Sequence, residues 1–145
     1  AVDNAEGNPR DDIACLAVRV AAPAQVTARF AATPEAASTL ADVLAPLTLQ
    51  LGERLAMDLR LLATELVANA VRHTPGGTVA VAVRLTPTTV HLEVSDDGPG
   101  FEAPPRPLPT PEGPGGWGLY LVDQCAARWG VERGDRHRVW LELER

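Results

Sequence analysis

The stretch "TELVANAVRHT", Thr64 to Thr74, decides how the chain is read. Leu59, Leu62, Leu66, Val67, Ala70 and Val71 recur near a period of 3.6 residues, which predicts an amphipathic helix. Glu65, Asn69, Arg72 and His73 crowd the same turns. Glu65 and Asn69 stand at i and i+4, so one helix face carries both an acid and an amide. The "TPGG" that follows stops the helix, which therefore runs from about Leu55 to His73.

Upstream, "TPEAASTLADVLAPLTLQLG" predicts another helix, with Thr33 as N-cap and Pro34 at the first helical position. Leu40, Val43, Leu44 and Leu47 form its buried face, Gly52 suits its end, and Pro46 should kink or shorten it. "IACLAVRV" and "QVTARFA" have strand character. Downstream, "TVAVAVRLT" and "TVHLEVSD" alternate apolar and polar residues and are joined by a turn at Pro87. Proline and glycine are then too dense from Asp97 to Gly116 for regular structure, so a long loop acting as a lid is expected. "WGLYLVDQCAARWG" predicts a helix with Leu119, Leu121, Val122 and Cys125 inward. A short strand "GVERG" and an alternating strand "HRVWLELE" close the chain, with Val139, Leu141 and Leu143 on one face. This order predicts an α+β fold, a two-layer α/β sandwich with one mixed sheet and helices on a single face.

The bulk properties narrow the classes. At 145 residues the chain can bury one good core and is short for two. A net charge of -6 argues against a direct nucleic-acid partner. There is no lysine, so every basic side chain is an arginine or histidine, which fits the codon usage of a GC-rich bacterial genome. No apolar run reaches the length of a membrane span, and "AVDNAEGNPRDD" does not read as a signal peptide. Cys15 and Cys125 lack metal-ligand spacing and are read as thiols, with the cytoplasm as the expected compartment.

Three segments carry candidate chemistry. Beside Glu65 and Asn69, the stretch "SDDGPG" puts Asp96 at a strand end, followed by Gly98 and Gly100. A carboxylate there can accept a hydrogen bond from an exocyclic amine, and the glycines permit close backbone approach. "GPGGWGLYLV" sets Gly115, Gly116 and Gly118 at a helix start, where unpaired N–H groups suit polyphosphate. An amide oxygen such as that of Asn69 is a sound ligand for a hard cation, and Glu65 could deprotonate a hydroxyl. Each segment has a plainer reading: a polar helix stripe, a turn after a strand, and a flexible helix start. Asp97 reads as a solvated turn residue, His73 as a packing or capping residue, and Trp117, Trp129 and Trp140 as packing residues. Arg72 could reach a phosphate or simply lie on the surface.

Taken together, "ELVANAVRH", "DDGPG" and "GGWGLYLV" resemble the asparagine box and the two glycine boxes of the GHKL ATP-binding fold, shared by gyrase, certain chaperones, histidine kinases and mismatch-repair ATPases. The entry "ATPEAASTLADVLAPL" and the wording "LATELVANAVRH" are similar to the bacterial anti-sigma-factor serine/threonine kinases. The resemblance covers roughly Gln25 to Arg145. It implies ATP and magnesium (Mg2+) as cofactors, with Asn69 holding the metal, Asp96 reading the adenine amine, and Gly98 and Gly100 near the base. It likewise places Gly116, Gly118 and Leu119 at the phosphates, with Arg72 within reach of them, and makes Glu65 the base acting on a protein hydroxyl. The implied partners are a sigma factor and an anti-sigma antagonist protein, with a homodimer as a further expectation. Trp117 departs from the pattern, standing where kinase members often have arginine, and in the lid segment only Arg106 could meet a γ-phosphate.

"RDDIACLAVRV", Arg10 to Val20, instead resembles the C-terminal end of metal-dependent (PPM-type) serine phosphatases. Residues 1–23 are accordingly read as the remnant of an upstream phosphatase-like domain plus linker, and residues 24–145 as the ATP-binding domain. An acidic tail followed by an unrelated strand is the plainer alternative. Two functions from different classes follow: a protein serine kinase, or a catalytically weak ATP-binding regulatory module of a phosphatase–kinase fusion. A histidine-kinase catalytic domain fits less well, because no helix with a phospho-accepting histidine precedes the boxes.

Overall fold

Apolar residues alternate with polar ones along most of the strands, and this period places one face of a single sheet against the helices. A computed structural model describes residues 15–21, 25–101 and 118–145. In chain order these form β1 (Cys15–Ala21), β2 (Gln25–Ala31), α1 (Glu35–Thr48), α2 (Glu53–His73), β3 (Thr78–Leu85), β4 (Thr89–Asp96), α3 (Gly118–Cys125), β5 (Arg128–Glu132) and β6 (His137–Glu144). The strands lie in the order β1-β2-β3-β4-β6-β5.

The expected α+β class holds, but the sheet is not mixed: every described pairing is antiparallel. The connections explain this. Two helices between β2 and β3 return the chain to the end it left, so β3 enters antiparallel to β2. One helix between β4 and β5 makes those strands codirectional, but β6 lies between them and opposes both. The strand at Cys15–Ala21, assigned from sequence to an upstream segment, is hydrogen-bonded to β2 as the edge of this sheet, from Cys15 opposite Phe30 to Ala21 opposite Gln25.

Core residues come from the expected positions. Val79, Val81, Val83 and Leu85 of β3, Val90, Leu92 and Val94 of β4, and Val139, Leu141 and Leu143 of β6 are all buried. They meet Leu40, Leu44 and Leu47 of α1 and Leu59, Leu62, Leu66 and Val67 of α2. Pro46 sits within the last turn of α1, which continues only to Thr48. The hydrogen bond it cannot donate would have gone to the carbonyl of exposed Asp42, where water can substitute. Gly52 does not end α1; with extended angles it is the N-cap of α2. Thr33 accepts the Ala36 N–H through its carbonyl, but its buried hydroxyl has no hydrogen-bond partner and caps nothing.

The helix expected up to Gly130 stops at Cys125. Pairing with β6 wins over helix propensity here: the Ala127 N–H donates to the Glu142 carbonyl, and Trp129 enters β5 opposite Leu141. Its indole N–H donates back to Asp123 of α3 at 3.0 Å. Cys125, expected inward, is exposed at the helix end, whereas Val122 is buried and Leu119 and Leu121 are half-buried.

Among the described residues, no helix covers the other face of the sheet. Trp140 stacks on His91 there, with ring centroids 6.1 Å apart, and lies over Gly130, where a Cβ would come within 2.8 Å of the indole nitrogen. Nearby, Glu142 accepts a hydrogen bond from Arg128. That bond, partly opposed by desolvation and assisted by the charges of Arg128 and His91, holds the Glu142 carboxyl below the usual carboxylate range.

Two outcomes follow for stability. Leu62→Ala, which empties a fully buried site between helix and sheet, should cost about 2–5 kcal/mol in urea denaturation. A carboxyl group depressed in the folded state contributes stability above its unfolded pKa of about 4.3 and loses it as pH falls through the folded value. Arg128→Ala should therefore be less stable than the parent at neutral pH, with the gap closing as pH falls through the lowered folded value of Glu142. Equal stability at neutral pH would contradict it.

Candidate nucleotide-binding site

Buried polar residues are the informative ones in an apolar core, because each must find a partner or destabilise the fold. Among the described residues these are Thr74, Ser95, Asp96 and His137. Three of them form one network. The Thr74 hydroxyl donates to Asp96 Oδ1 at 2.9 Å, and the Gly98 N–H donates to the same oxygen at 2.8 Å. His137 Nδ1 lies 3.2 Å from Asp96 Oδ2. Asp96 ends β4, its register partner His137 begins β6, and Thr74 terminates α2. The network thus ties two neighbouring strands to the end of the helix read first. A carboxylate offers about four acceptor positions; three are filled, leaving one on Oδ2.

The glycines of "DDGPG" make room for this arrangement. A Cβ on Gly98 would stand 2.8 Å from both Asp96 Oδ1 and the Thr74 hydroxyl, and 3.0 Å from the His73 carbonyl oxygen. Gly100 has φ +75°, a conformation side chains disfavour, and its Cβ would meet the His137 ring at 2.6 Å. The space both glycines leave open is therefore filled by protein groups. Phe101 closes over the same ring, with centroids 4.6 Å apart. Asp97, read as a solvated turn residue, is exposed but engaged: it accepts the Thr78 N–H and pairs with Arg136. Arg136 also donates to the carbonyls of Thr78 and Ser95, locking the ends of β3 and β4.

Glu65 and Asn69 lie half-buried on α2. Gly118, the buried first residue of α3, faces Glu65: a Cβ there would lie 3.9 Å from the Glu65 Cβ and Oε2. Leu119 follows it, half-buried. The fold thus brings Gly118, the described start of the third candidate segment, beside Glu65 of the first. Arg72 is exposed and donates to Asn69 Oδ1 at 3.2 Å, so the amide oxygen assigned to a metal is taken up by a guanidinium. Gly115, Gly116, Trp117, Arg106 and the expected lid from residue 102 onward lie outside the described residues, as do Asp11 and Asp12. No group of three or more acidic, cysteine or histidine residues that could hold a metal occurs among the described residues. A hard cation held by one amide oxygen together with phosphate oxygens and water remains compatible with that donor set.

Sequence reasoning missed Thr74, Arg136 and His137. A signal for His137 was present: the alternation Val139, Leu141, Leu143 extends back two residues to position 137, which puts a histidine on the core face. Thr74 was absorbed into the helix stop, and no local pattern marks it as a partner of a residue 22 positions away.

An α2 face bearing Glu65 and Asn69, a buried strand-end carboxylate with one unfilled acceptor and a glycine-started helix beside Glu65 thus lie on one antiparallel α+β sandwich. The chain belongs to the family of histidine kinase-like ATPase domains, whose pattern it matches over residues 28–143. That membership implies ATP binding. It is also similar to an uncharacterized protein of Streptomyces coelicolor, 43% identical over 84 residues that cover 54% of this chain and 78% of the relative. No described helix is long and apolar enough to cross a membrane.

Gly98→Ala should destabilise the fold by about 1–3 kcal/mol by forcing Asp96 or Thr74 aside. Gly134→Ala, where nothing lies within 4 Å, should be nearly neutral, and the two are compared by chemical denaturation.

Proposed function

We propose that the chain is an ATP-dependent protein serine/threonine kinase that phosphorylates an anti-sigma antagonist, and that it also acts on a sigma factor as an anti-sigma factor. The observation that carries this reading is the placement of Glu65 beside the first residue of α3, on the helix whose end holds the buried Asp96. A carboxylate that could accept a proton thus lies next to the helix start suited to phosphates.

In this reading the open acceptor on Asp96 Oδ2 takes a hydrogen of the adenine amine, Arg72 and the N–H groups of Gly118 and Leu119 face the phosphates, and Gly116, outside the described residues, is assigned to the same phosphates by the glycine-box wording. Asn69 would hold magnesium together with phosphate oxygens and water, and the ion supplies charge neutralisation on the polyphosphate. Phosphoryl transfer asks a protein mostly for positioning and charge balance. The substrate hydroxyl oxygen bonds to the γ-phosphorus, the bond to the β–γ bridging oxygen breaks, ADP leaves, and Glu65 accepts the hydroxyl proton. The antagonist, the sigma factor, a homodimer and an upstream phosphatase domain are partners suggested by the wording of the helical and N-terminal segments. A second reading, an ATP-binding regulatory module without transfer, is favoured by the Arg72–Asn69 hydrogen bond, which sets a positive guanidinium beside the amide oxygen that a cation would have to share.

Asp96→Asn should weaken ATP binding about tenfold or more through loss of a charge-assisted hydrogen bond; unchanged affinity by calorimetry would place the adenine elsewhere. Glu65→Gln should bind ATP normally yet lose about 10²-fold or more in phosphate transfer to the antagonist. Normal binding with no transfer by the parent protein would select the regulatory module, and undiminished labelling by the variant would remove Glu65 as the base.

A further inference from the structure

His137 has no role in the reading above, and its surroundings are unusual for a residue that merely fills space. It is 5% exposed, and its ring is enclosed by Phe101 and by the Cα of Gly100. Its Nδ1 faces Asp96 Oδ2 at 3.2 Å. A carboxylate only accepts, so Nδ1 carries the hydrogen and donates it. The other ring nitrogen, Nε2, is buried with no hydrogen-bond partner. A leucine or phenylalanine would occupy the same volume without orphaning a polar atom. The core therefore tolerates an unsatisfied nitrogen, and among the described residues the only polar contact the ring makes in return is the one to Asp96.

That contact falls on the oxygen that matters. Thr74 and Gly98 both donate to Oδ1 and fix that end of the carboxylate. Oδ2 has only His137, whose Nδ1–H takes one of its two lone pairs, completes the hold on the carboxylate plane and leaves the other lone pair as the single free acceptor. Gly100, with its positive φ and missing side chain, admits the ring at that spot.

We propose that His137 is the positioning residue for base selection: its Nδ1–H aims the free lone pair of Asp96 Oδ2 at an exocyclic amine and so sets preference for a 6-amino over a 6-oxo purine nucleotide. This rests on the reading of Asp96 given above. It adds a second residue, from another strand, on which discrimination depends, and it makes a prediction that a packing role does not. Losing the aim weakens binding of the 6-amino nucleotide and leaves the 6-oxo nucleotide untouched, because the latter has no amine to lose. Loosened packing weakens both together.

The test measures affinity for ATP and ITP by calorimetry in the full chain and in three variants. Asparagine at 137 places an amide N–H near the position of Nδ1; glutamine moves it toward Nε2; leucine removes it. His137→Asn should keep the ATP:ITP affinity ratio within about threefold of the parent, while His137→Leu should lower it about tenfold through weaker ATP binding alone, the scale of one hydrogen bond to a charged group. His137→Gln should behave as His137→Leu, and it decides the matter should the leucine variant fail to fold. A parental ratio in His137→Leu or His137→Gln overturns the positioning role, as does a parallel fall in both affinities or a ratio lost equally in His137→Asn. Equal binding of ATP and ITP by the parent chain would instead overturn the assignment of Asp96 to the base.

Discussion

A carboxylate buried at the rim of an apolar core is tolerable only when donors surround it, and that requirement organises this molecule. Asp96 sits at the end of β4, with Val94 and Val79 beside it in the core. Its three donors come from a helix terminus, a turn and a neighbouring strand. For all three to converge, α2 must stop at Thr74, the chain must turn without a side chain at Gly98, and β6 must pair with β4 so that His137 stands opposite Asp96. A shift of one residue in that pairing would turn His137 to the open face and Arg138 or Arg136 into the core.

The same constraint separates the surroundings of Asp96 from those of Glu65 and Asn69. One of the three donors lies on β6, one caps α2 and the third is on the turn that continues β4, so the carboxylate is held by the framework of the domain. The side facing α2 and α3 is built differently. Glu65 and Asn69 are half-buried, and the guanidinium on Asn69 comes from an exposed arginine one turn away. A hydrogen bond to an exposed arginine exchanges readily for one to water, contributes little net stability and can be given up to a ligand at small cost.

Much of the fold was legible in the chain because alternation and helical period both report burial. The strands β3, β4 and β6 and the inner faces of α1 and α2 could be read from single stretches. What misled was competition between local and distant partners. "DQCAARWG" has helical composition, yet pairing with β6 draws Arg128 to Glu132 into a strand, and Cys125 becomes an exposed helix end. The antiparallel character of the whole sheet was likewise hidden, since it depends on where β6 is inserted and not on any strand's own pattern.

By itself the sequence determined the elements and the chemical types: an acid and amide on one helix face, a strand-end aspartate, and glycines where the backbone must come close. These are local properties, written in spacings of two to four residues. Only the tertiary structure decided which atoms meet. Thr74 and His137 stand 22 and 41 positions from Asp96, and no short-range periodicity encodes a hydrogen bond across such distances. The pairing of β4 with β6 and the stop of α2 bring them together. The role of Gly100 changes for the same reason: a turn glycine in the sequence becomes, in the fold, the space that a buried histidine occupies.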